Sequence, residues 1–382
     1  MQNIRIYNID LTVTANCNFN CTYCFEHEFF EHKEFKDHEL FIIKMNQLLN
    51  SDFFKKNYDL LNIGFWGGEP TLNEKAIRKI YTAFKTDDRV KFFIYSNGYL
   101  LDRYMDIFEE SKNKSLFGHP KFCVQVSYDG MPVHDIFRKT KKNKLTGTKI
   151  RNVIKDLWKR KIPSVIKSTI SPEAFKYLPE AREDVLNLYK EMPENNFFRS
   201  DNYFPTIDYY NLEKYNNKEI EVFNKELNES LIKIAKEEIE FFKTNNKFFF
   251  SWFNPNKALC CAGRDMVCVN WDGNIFKCHG SMYDDKKGEH LIIDIKNESF
   301  ITNLDITNKL HNNNFGWEPE ECKNCLATFC LRCNPVKFDR SEKKDYFEKW
   351  RDYTTQPRLC NFYKINGKIV FAIRKLLQQN GG

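Results

Sequence analysis

The chain has 382 residues, of which 42% are hydrophobic and 29% charged, and its formal net charge is +7. This length supports one large domain or two ordinary ones, with a substantial core. No run approaches the roughly 18 apolar residues that span a bilayer, and the stretch from Met1 to Tyr7 lacks the apolar core of a signal peptide. A membrane partner is therefore not expected, and the cytoplasm is. In that reducing compartment the 13 cysteines point to metal or redox chemistry rather than disulfides. The positive balance permits a polyanionic partner, nucleic acid included, without favouring one. The 35 phenylalanines read most simply as core.

In chain order, Ile9 to Thr14 is β-branched and apolar and predicts a first strand. His38 to Ser51 carries apolar residues at helical spacing. Leu60 to Trp66 reads as a second strand. Asn73 to Phe84 reads as a helix with Ala76, Ile77, Ile80 and Phe84 on one face. Lys91 to Tyr95 is a third strand and Phe122 to Ser127 a fourth. A helix over Arg151 to Arg160 precedes a fifth strand over Val165 to Ile170, and Phe197 to Phe204 is a weaker sixth. Strands alternating with helices imply parallel βα units. Five or six such repeats suit an α/β fold of incomplete (β/α)6 TIM-like barrel type, whose active site lies at the C-terminal ends of its strands. Lys218 to Lys243 has neither Gly nor Pro and reads as a helical bridge. From Ser251 cysteines become dense and the alternation stops. The expected division is a barrel over 1–215, a bridge over 216–250 and a cysteine-rich domain over 251–382, closed by a helix over Lys364 to Gln379.

The first strand empties into Cys17-Asn18-Phe19-Asn20-Cys21-Thr22-Tyr23-Cys24, three thiols spaced C-x3-C-x2-C. Three thiolates can wrap one face of a metal centre but cannot close a tetrahedral one. Either a distant cysteine completes a structural zinc site, or an exogenous ligand takes the open position and chemistry becomes possible there. Gly67-Gly68-Glu69-Pro70 ends the second strand. Its glycines allow close approach of backbone to a ligand, and Glu69 offers an acceptor suited to an ammonium group. Ser96-Asn97-Gly98 ends the third strand and Ser127-Tyr128-Asp129-Gly130 the fourth; Asp129 reads equally as a ligand or as part of a turn. Cys268 and Cys278 enclose an Asp272-Gly273 hairpin turn. Cys322, Cys325, Cys330 and Cys333 follow with spacing x2-x4-x2, then a lone Cys360. Taken alone, these two C-x2-C pairs would most simply be a zinc site.

The C-x3-C-x2-C loop after the first strand resembles the signature of the radical S-adenosylmethionine (SAM) enzymes. The C-terminal cysteines resemble their SPASM extension, of the peptide-maturase and anaerobic sulfatase-maturating group. Together the two resemblances cover nearly the whole chain. The first implies that Cys17, Cys21 and Cys24 hold a [4Fe–4S] cluster whose open iron chelates SAM. One electron then cleaves SAM to a 5′-deoxyadenosyl radical that abstracts a substrate hydrogen. It implies that the Gly67–Pro70 segment binds the SAM amino group and that Tyr23 packs near the adenine. Ser96, Asn97 and Ser127 would contact the ribose or methionine part, and Arg138 would pair with the SAM carboxylate, with Arg151 as the other candidate. The second resemblance implies two auxiliary [4Fe–4S] clusters, one on Cys261 (or Cys260), Cys268, Cys278 and Cys333, the other on Cys322, Cys325, Cys330 and Cys360. Cys123 is left as core.

Three departures matter. The x2-x4-x2 spacing is tighter than the x2-x5-x3 usual in the family. Cys17 is too close to the N-terminus for a peptide-recognition domain to precede the barrel. His279 follows Cys278 where the sulfatase-maturating enzymes carry an aspartate base; it could itself be the base or could support the cluster. The function these resemblances imply is an oxidoreductase that modifies a side chain of a ribosomal peptide or protein by crosslinking or oxidation. Its reductant would be an external one-electron donor of flavodoxin or ferredoxin type. The alternatives are a radical rearrangement of a nucleotide or nucleic-acid-linked group, formylglycine-forming sulfatase maturation, and a zinc-bound structural module.

Overall fold

The computed structural model describes residues 4–26, 33–191, 203, 205–208, 212–254, 256–258, 261–284, 291–313, 325–327, 329–331 and 357–380. The expected strands appear with small changes at their ends: β1 Ile6–Thr14, β2 Leu60–Gly67, β3 Val90–Ser96, β4 Phe122–Ser127 and β5 Ser164–Ile170. The sixth strand, β6, is Pro205–Ile207 and pairs with β5 from Ser168↔Pro205 to Ile170↔Ile207. Of the expected span 197–204, all but residue 203 lies outside the described residues. All six pair in parallel in sequence order, as an incomplete (β/α)6 barrel requires.

Among the described residues the sheet has nine strands, because β1 is not an edge. On its other side it pairs in parallel with β7, Met266–Val269, in a register that sets Asp10 beside Cys268. β7 turns at Asp272-Gly273 into the antiparallel β8, Asn274–Phe276, which pairs with β9, Leu291–Asp294. Gly273 has φ +94°, a conformation that favours glycine. β1 is thus flanked on both sides, and Ile9, Leu11 and Val13 on one face and Thr12 and Thr14 on the other are all 0% exposed.

The helices face the sheet for ordinary reasons. α1 (His38–Asn50) and α2 (Glu74–Phe84) bury their apolar stripes, Phe41, Met45 and Leu48 on the first and Ala76, Ile77 and Ile80 on the second. Asn73 caps α2 by accepting from the Ala76 N–H at 3.2 Å, and it donates to the Val13 carbonyl at 2.7 Å. The start of α2 is thereby tied to the end of β1. α3 (Gly147–Lys159) starts four residues before the expected Arg151. α4 (Leu178–Lys190), which periodicity did not reveal, begins with Pro179 in its first turn. The bridge helix α5 (Asn217–Asn245) opens with a capping box between Asn216 and Glu219. It is fastened to α4 by the buried pair Arg182–Glu238, Nε to Oε1 at 2.8 Å. The closing helix α6 spans Pro357–Asn380. No helix among the described residues is long and apolar enough to cross a membrane.

Candidate active site

The ends of β1 to β6 surround a cavity of about 360 Å³, and Cys17, Cys21 and Cys24 line one wall of it. Phe19 anchors their loop: it is 1% exposed and packs edge-on to Tyr99 at 5.7 Å. Burial pushes all three thiols upward, Cys21 to about 11, so thiolates there call for a cationic centre. The Phe19 N–H lies 3.4 Å from the Cys17 sulfur, and the Arg138 guanidinium favours negative charge on Cys21. Soft sulfur donors on one wall, beside an N–H donor and a guanidinium, fit an iron–sulfur cluster. Among the described residues no three His, Cys, Asp or Glu side chains form a ready site for a single ion.

Gly67 and Gly68 also line the cavity, but their tightest contacts are with the chain itself. A Cβ on Gly67 would stand 2.0 Å from the Thr14 carbonyl oxygen, and one on Gly68 2.5 Å from that of Asn16. The Glu69 N–H donates to the Asn16 carbonyl at 2.8 Å. The glycines therefore let the end of β2 close on the backbone that leads into the cysteine loop, where the motif alone suggested room for a ligand.

The Glu69 carboxylate is 0% exposed and lies behind the wall. It accepts from the Thr71 hydroxyl at 2.6 Å, the Thr71 N–H at 3.1 Å, the Ser96 hydroxyl at 2.8 Å and the Asn97 N–H at 2.7 Å. Burial raises its pKa and these donors oppose the rise. Ser96 and Asn97, which Glu69 holds, do line the cavity, whereas Glu69 and Pro70 do not. Asn97 also donates to the Asn18 side chain at 2.6 Å, linking this turn to the cysteine loop.

Tyr23, Ser127 and Arg138 also line the cavity. Arg138 and Tyr23 both donate to Asp129 Oδ2, at 2.7 and 2.5 Å. The Thr169 N–H donates to Oδ1 at 2.9 Å, and the Tyr203 hydroxyl to the Asp129 carbonyl at 2.8 Å. Asp129 is thus the buried counter-ion of Arg138, a role its Asp-Gly context did not suggest. Arg151 pairs instead with Asp184 and with Glu191, the latter at 2.7 Å, and does not line the cavity.

Sequence reasoning also missed Gln125, Lys167 and Thr169, which line the cavity. The signal was present: Gln125 and Ser127 on β4, and Lys167 and Thr169 on β5, are polar residues two apart and so share one face of each strand. The Lys167 ammonium donates to the Thr206 hydroxyl, and burial lowers its pKa to about 7.

His279 is not on the cavity wall. Its ring stacks on Trp66 at 3.9 Å between centroids, and it is Trp66 and Tyr95 that line the cavity. His279 Nε2 stands 3.5 Å from Asp10 Oδ2, and the Tyr95 hydroxyl donates to the same carboxylate at 3.3 Å. Burial lowers His279 to about 3 and raises Asp10 to about 7. Cys268 lies within electrostatic reach of Asp10 and Cys278, and Tyr95 within reach of Cys261 and Cys268. Three of the thiols expected on the first auxiliary cluster therefore gather at this end of the barrel. Cys322, Cys333 and the alternative Cys260 lie outside the described residues. Cys330 sits on the strand Phe329–Leu331, of which only the backbone is described. Cys325 and Cys360 are both half-buried. A Cβ on Gly367, seven residues after Cys360 and so on the same face of α6, would stand 2.0 Å from the Leu326 carbonyl oxygen.

Residues 11–185 match the model of the Radical SAM superfamily. Those residues form a radical SAM domain, and the chain is an enzyme. It is 23% identical to a cysteine-type anaerobic sulfatase-maturating enzyme of Clostridium novyi (strain NT), over 82% of this chain and 83% of that enzyme. It is 31% identical to the radical SAM cyclopropyl synthase TigE of Paramaledivibacter caminithermalis, over 25% of this chain and only 23% of the synthase. In fold it resembles anSMEcpe with bound AdoMet, with a TM-score of 0.67 at 19% identity over 96% of this chain and 97% of that one. The structure of that enzyme with bound AdoMet and the Cp18Cys peptide gives a TM-score of 0.65 at 18% identity over 98% and 99%.

Proposed function

We propose that the chain binds SAM and three [4Fe–4S] clusters and modifies a side chain of a ribosomal peptide or protein by crosslinking or oxidation. One observation carries this reading: Cys17, Cys21 and Cys24 share a single cavity with Ser96, Asn97, Ser127 and Arg138. A SAM-ligated cluster supplies, when bound, one-electron cleavage of SAM and with it a radical able to abstract hydrogen. The chain's own residues bind and orient. Arg138, fixed by Asp129, offers a carboxylate partner. Glu69 sets the Ser96–Asn97 turn that faces the ligand. Tyr23 closes the wall beside the cysteines, and the aromatic floor of Trp66 and Tyr95 excludes water.

The auxiliary clusters are assigned to Cys261, Cys268, Cys278 and Cys333 and to Cys322, Cys325, Cys330 and Cys360, in a domain of SPASM type over 251–382. A peptide substrate is supported by anSMEcpe, whose structure is described with a bound peptide. Formylglycine-forming sulfatase maturation is the second reading, favoured by the C. novyi relative that spans 82% of this chain. Under it His279 takes the place of the aspartate base, with the Asp10 carboxylate 3.5 Å away.

Anaerobic reconstitution tests the reading. Three clusters require about twelve irons per chain, and replacing Cys17, Cys21 and Cys24 together by Ala should leave about eight. The reduced enzyme should form 5′-deoxyadenosine. Labelled ribosomal-peptide pools, a sulfatase cysteine peptide and nucleic acid then separate the substrate classes. Zinc without sulfide would sink the proposal.

A further inference from the structure

β4 reads Phe122-Cys123-Val124-Gln125-Val126-Ser127. Its period of two sends Phe122, Val124 and Val126, none more than 2% exposed, to one face and Cys123, Gln125 and Ser127 to the other. Ser127 and Gln125 line the cavity and Cys123 does not, so Gln125 is the deepest residue of β4 on its wall. It lies one strand repeat, about 6–7 Å, below Ser127. Its register partners in the sheet are Tyr95 on β3 and Val165 on β5. Tyr95 lines the cavity too, so Gln125 stands in the same layer as the aromatic floor.

Several polar side chains on this wall are already spent within the chain. Ser96 is held by Glu69 and Asn97 by Asn18, the Tyr95 hydroxyl donates to Asp10, and Thr206 accepts from Lys167. Gln125 differs: among the described residues its side-chain amide makes no hydrogen bond. The Ser127 hydroxyl is unspent in the same way, and that residue is assigned to SAM. A binding cavity keeps a few such groups for what it binds. Gln125 therefore faces a second occupant, one layer deeper than the contact assigned to Ser127. A side-chain amide sets N–H donors beside a carbonyl acceptor. A carboxylate would take the N–H but turn its other oxygen toward Gln125 Oε1. Another amide satisfies both at once, carbonyl to N–H and N–H to carbonyl, and a peptide carries such a group at every residue but proline.

We propose that Gln125 determines specificity by pairing with a carboxamide of the substrate, a backbone peptide group or an Asn or Gln side chain, next to the residue that is modified. The proposal rests on the reading of the cavity as a SAM site with a peptide substrate. The Gln125 amide donates to the substrate carbonyl and accepts from the substrate N–H. Two such bonds fix both the depth and the rotation of that group, so the reacting carbon is presented in one orientation. An analogue that lacks the N–H leaves the Gln125 carbonyl unpaired and is rejected.

The test takes a peptide that the reconstituted wild type modifies, drawn from the labelled ribosomal-peptide pool or the sulfatase cysteine peptide. Each peptide bond near the modified residue is replaced in turn by an ester, which keeps the carbonyl and removes the N–H. In a second arm each Asn is replaced by Leu and each Gln by Met. One ester should lower the wild-type kcat/KM roughly 10- to 100-fold, the loss of one enclosed hydrogen bond. A response to an Asn or Gln replacement instead would assign the pairing to a side-chain amide. Q125L should show a loss of at least that size with the unaltered peptide and no further loss with the substitution to which wild type responds, because both changes remove the same contact. Q125M, which keeps the length of the side chain, should behave as Q125L does, and iron content shows that each is folded. Both variants should bind SAM as tightly as wild type. A Q125L that keeps the wild-type kcat/KM, or the wild-type response to every substitution, would overturn the proposal. So would a loss of SAM affinity as large as the loss of kcat/KM, which would give the amide to SAM. Failure of the underlying reading is distinct: the wild type itself would then modify no peptide, and the proposal would fall with it.

Discussion

Arg138 and Asp129 form a bidentate pair, Nε to Oδ2 at 2.7 Å and Nη2 to Oδ1 at 3.2 Å, with the carboxylate side chain 0% exposed and the guanidinium side chain 9%. Removing one partner leaves the other charge buried and uncompensated, at a cost of about 3–5 kcal/mol. Asp129→Asn and Arg138→Met should each lower the denaturant midpoint of the cluster-free protein strongly. The double variant should lose less than the sum of the two, because the residues are in direct contact. Additive losses would show that the pair is not coupled.

Gly68→Ala should displace the cysteine loop, because the new Cβ would meet the Asn16 and Ala15 carbonyl oxygens at 2.5 and 2.6 Å, which are backbone atoms. The expected result is reduced iron uptake at the first cluster, read as a loss approaching about four irons per chain, with the far-ultraviolet circular dichroism retained. Full iron content would mean that the two strand ends can part without cost.

Glu69→Ala removes the acceptor of the Ser96 hydroxyl and the Asn97 N–H, groups buried with it. Leaving such donors unpaired costs about 1–3 kcal/mol. SAM affinity should fall by roughly 10- to 100-fold while the first cluster still assembles. Equilibrium binding of SAM to the reconstituted variant measures this; wild-type affinity would show that the turn keeps its shape unaided.

Lys167 has a folded-state pKa of about 7 against an ordinary 10.5. Below about 7 it is charged in both states, and burying that charge penalises the fold in full. As pH rises from about 7 to 10.5 the unfolded chain still holds the proton and the folded chain does not, so the penalty fades. Lys167→Met should therefore stabilise the SAM-free protein at pH 6 by on the order of 2–3 kcal/mol, since the open cavity keeps part of the side chain wet. That gain should shrink steadily toward pH 10. Melting temperatures of the two proteins across this range decide the matter, and a gain independent of pH would contradict it.

His279→Ala separates two roles. If the ring takes a proton from the substrate, SAM cleavage and transfer of substrate deuterium to 5′-deoxyadenosine should persist while product falls roughly 10²–10⁴-fold. If the ring, stacked on Trp66, only supports the barrel end next to Cys278, the variant should lose iron and shift a cluster potential. Unchanged product with full iron content would rule out both.

Much of this was legible in the sequence because it is local. Alternating apolar strands and helices predicted the order of βα units, since a buried parallel strand and an amphipathic helix each impose their own period. C-x3-C-x2-C marked three thiols that line one cavity, and Gly67-Gly68 after a strand marked a close approach, which is to the chain's own backbone. Asp272-Gly273 marked a hairpin, because its tight turn needs backbone at Gly273, φ +94°, that few residues adopt. The polar pairs on β4 and β5 were equally local, and strand alternation would have revealed them.

What only the tertiary structure decided depends on which elements lie side by side. Nothing near Asp129 in the chain announces that its carboxylate answers Arg138 and Tyr23, because β4, the cysteine loop and the segment after β4 meet only when the barrel curls. Arg138 and Arg151 are both arginines after the same strand; packing alone turns one into the cavity and pairs the other with Asp184 on α4. Glu69 carries the expected motif, yet the neighbouring β3 end supplies donors that draw its carboxylate behind the wall. β1 gains β7 as a partner 256 residues away at Thr12 and Cys268, which sets Asp10 against His279. A sequence states the donors and acceptors each residue carries; which of them are satisfied, and by whom, is settled by the contacts that burial forces together.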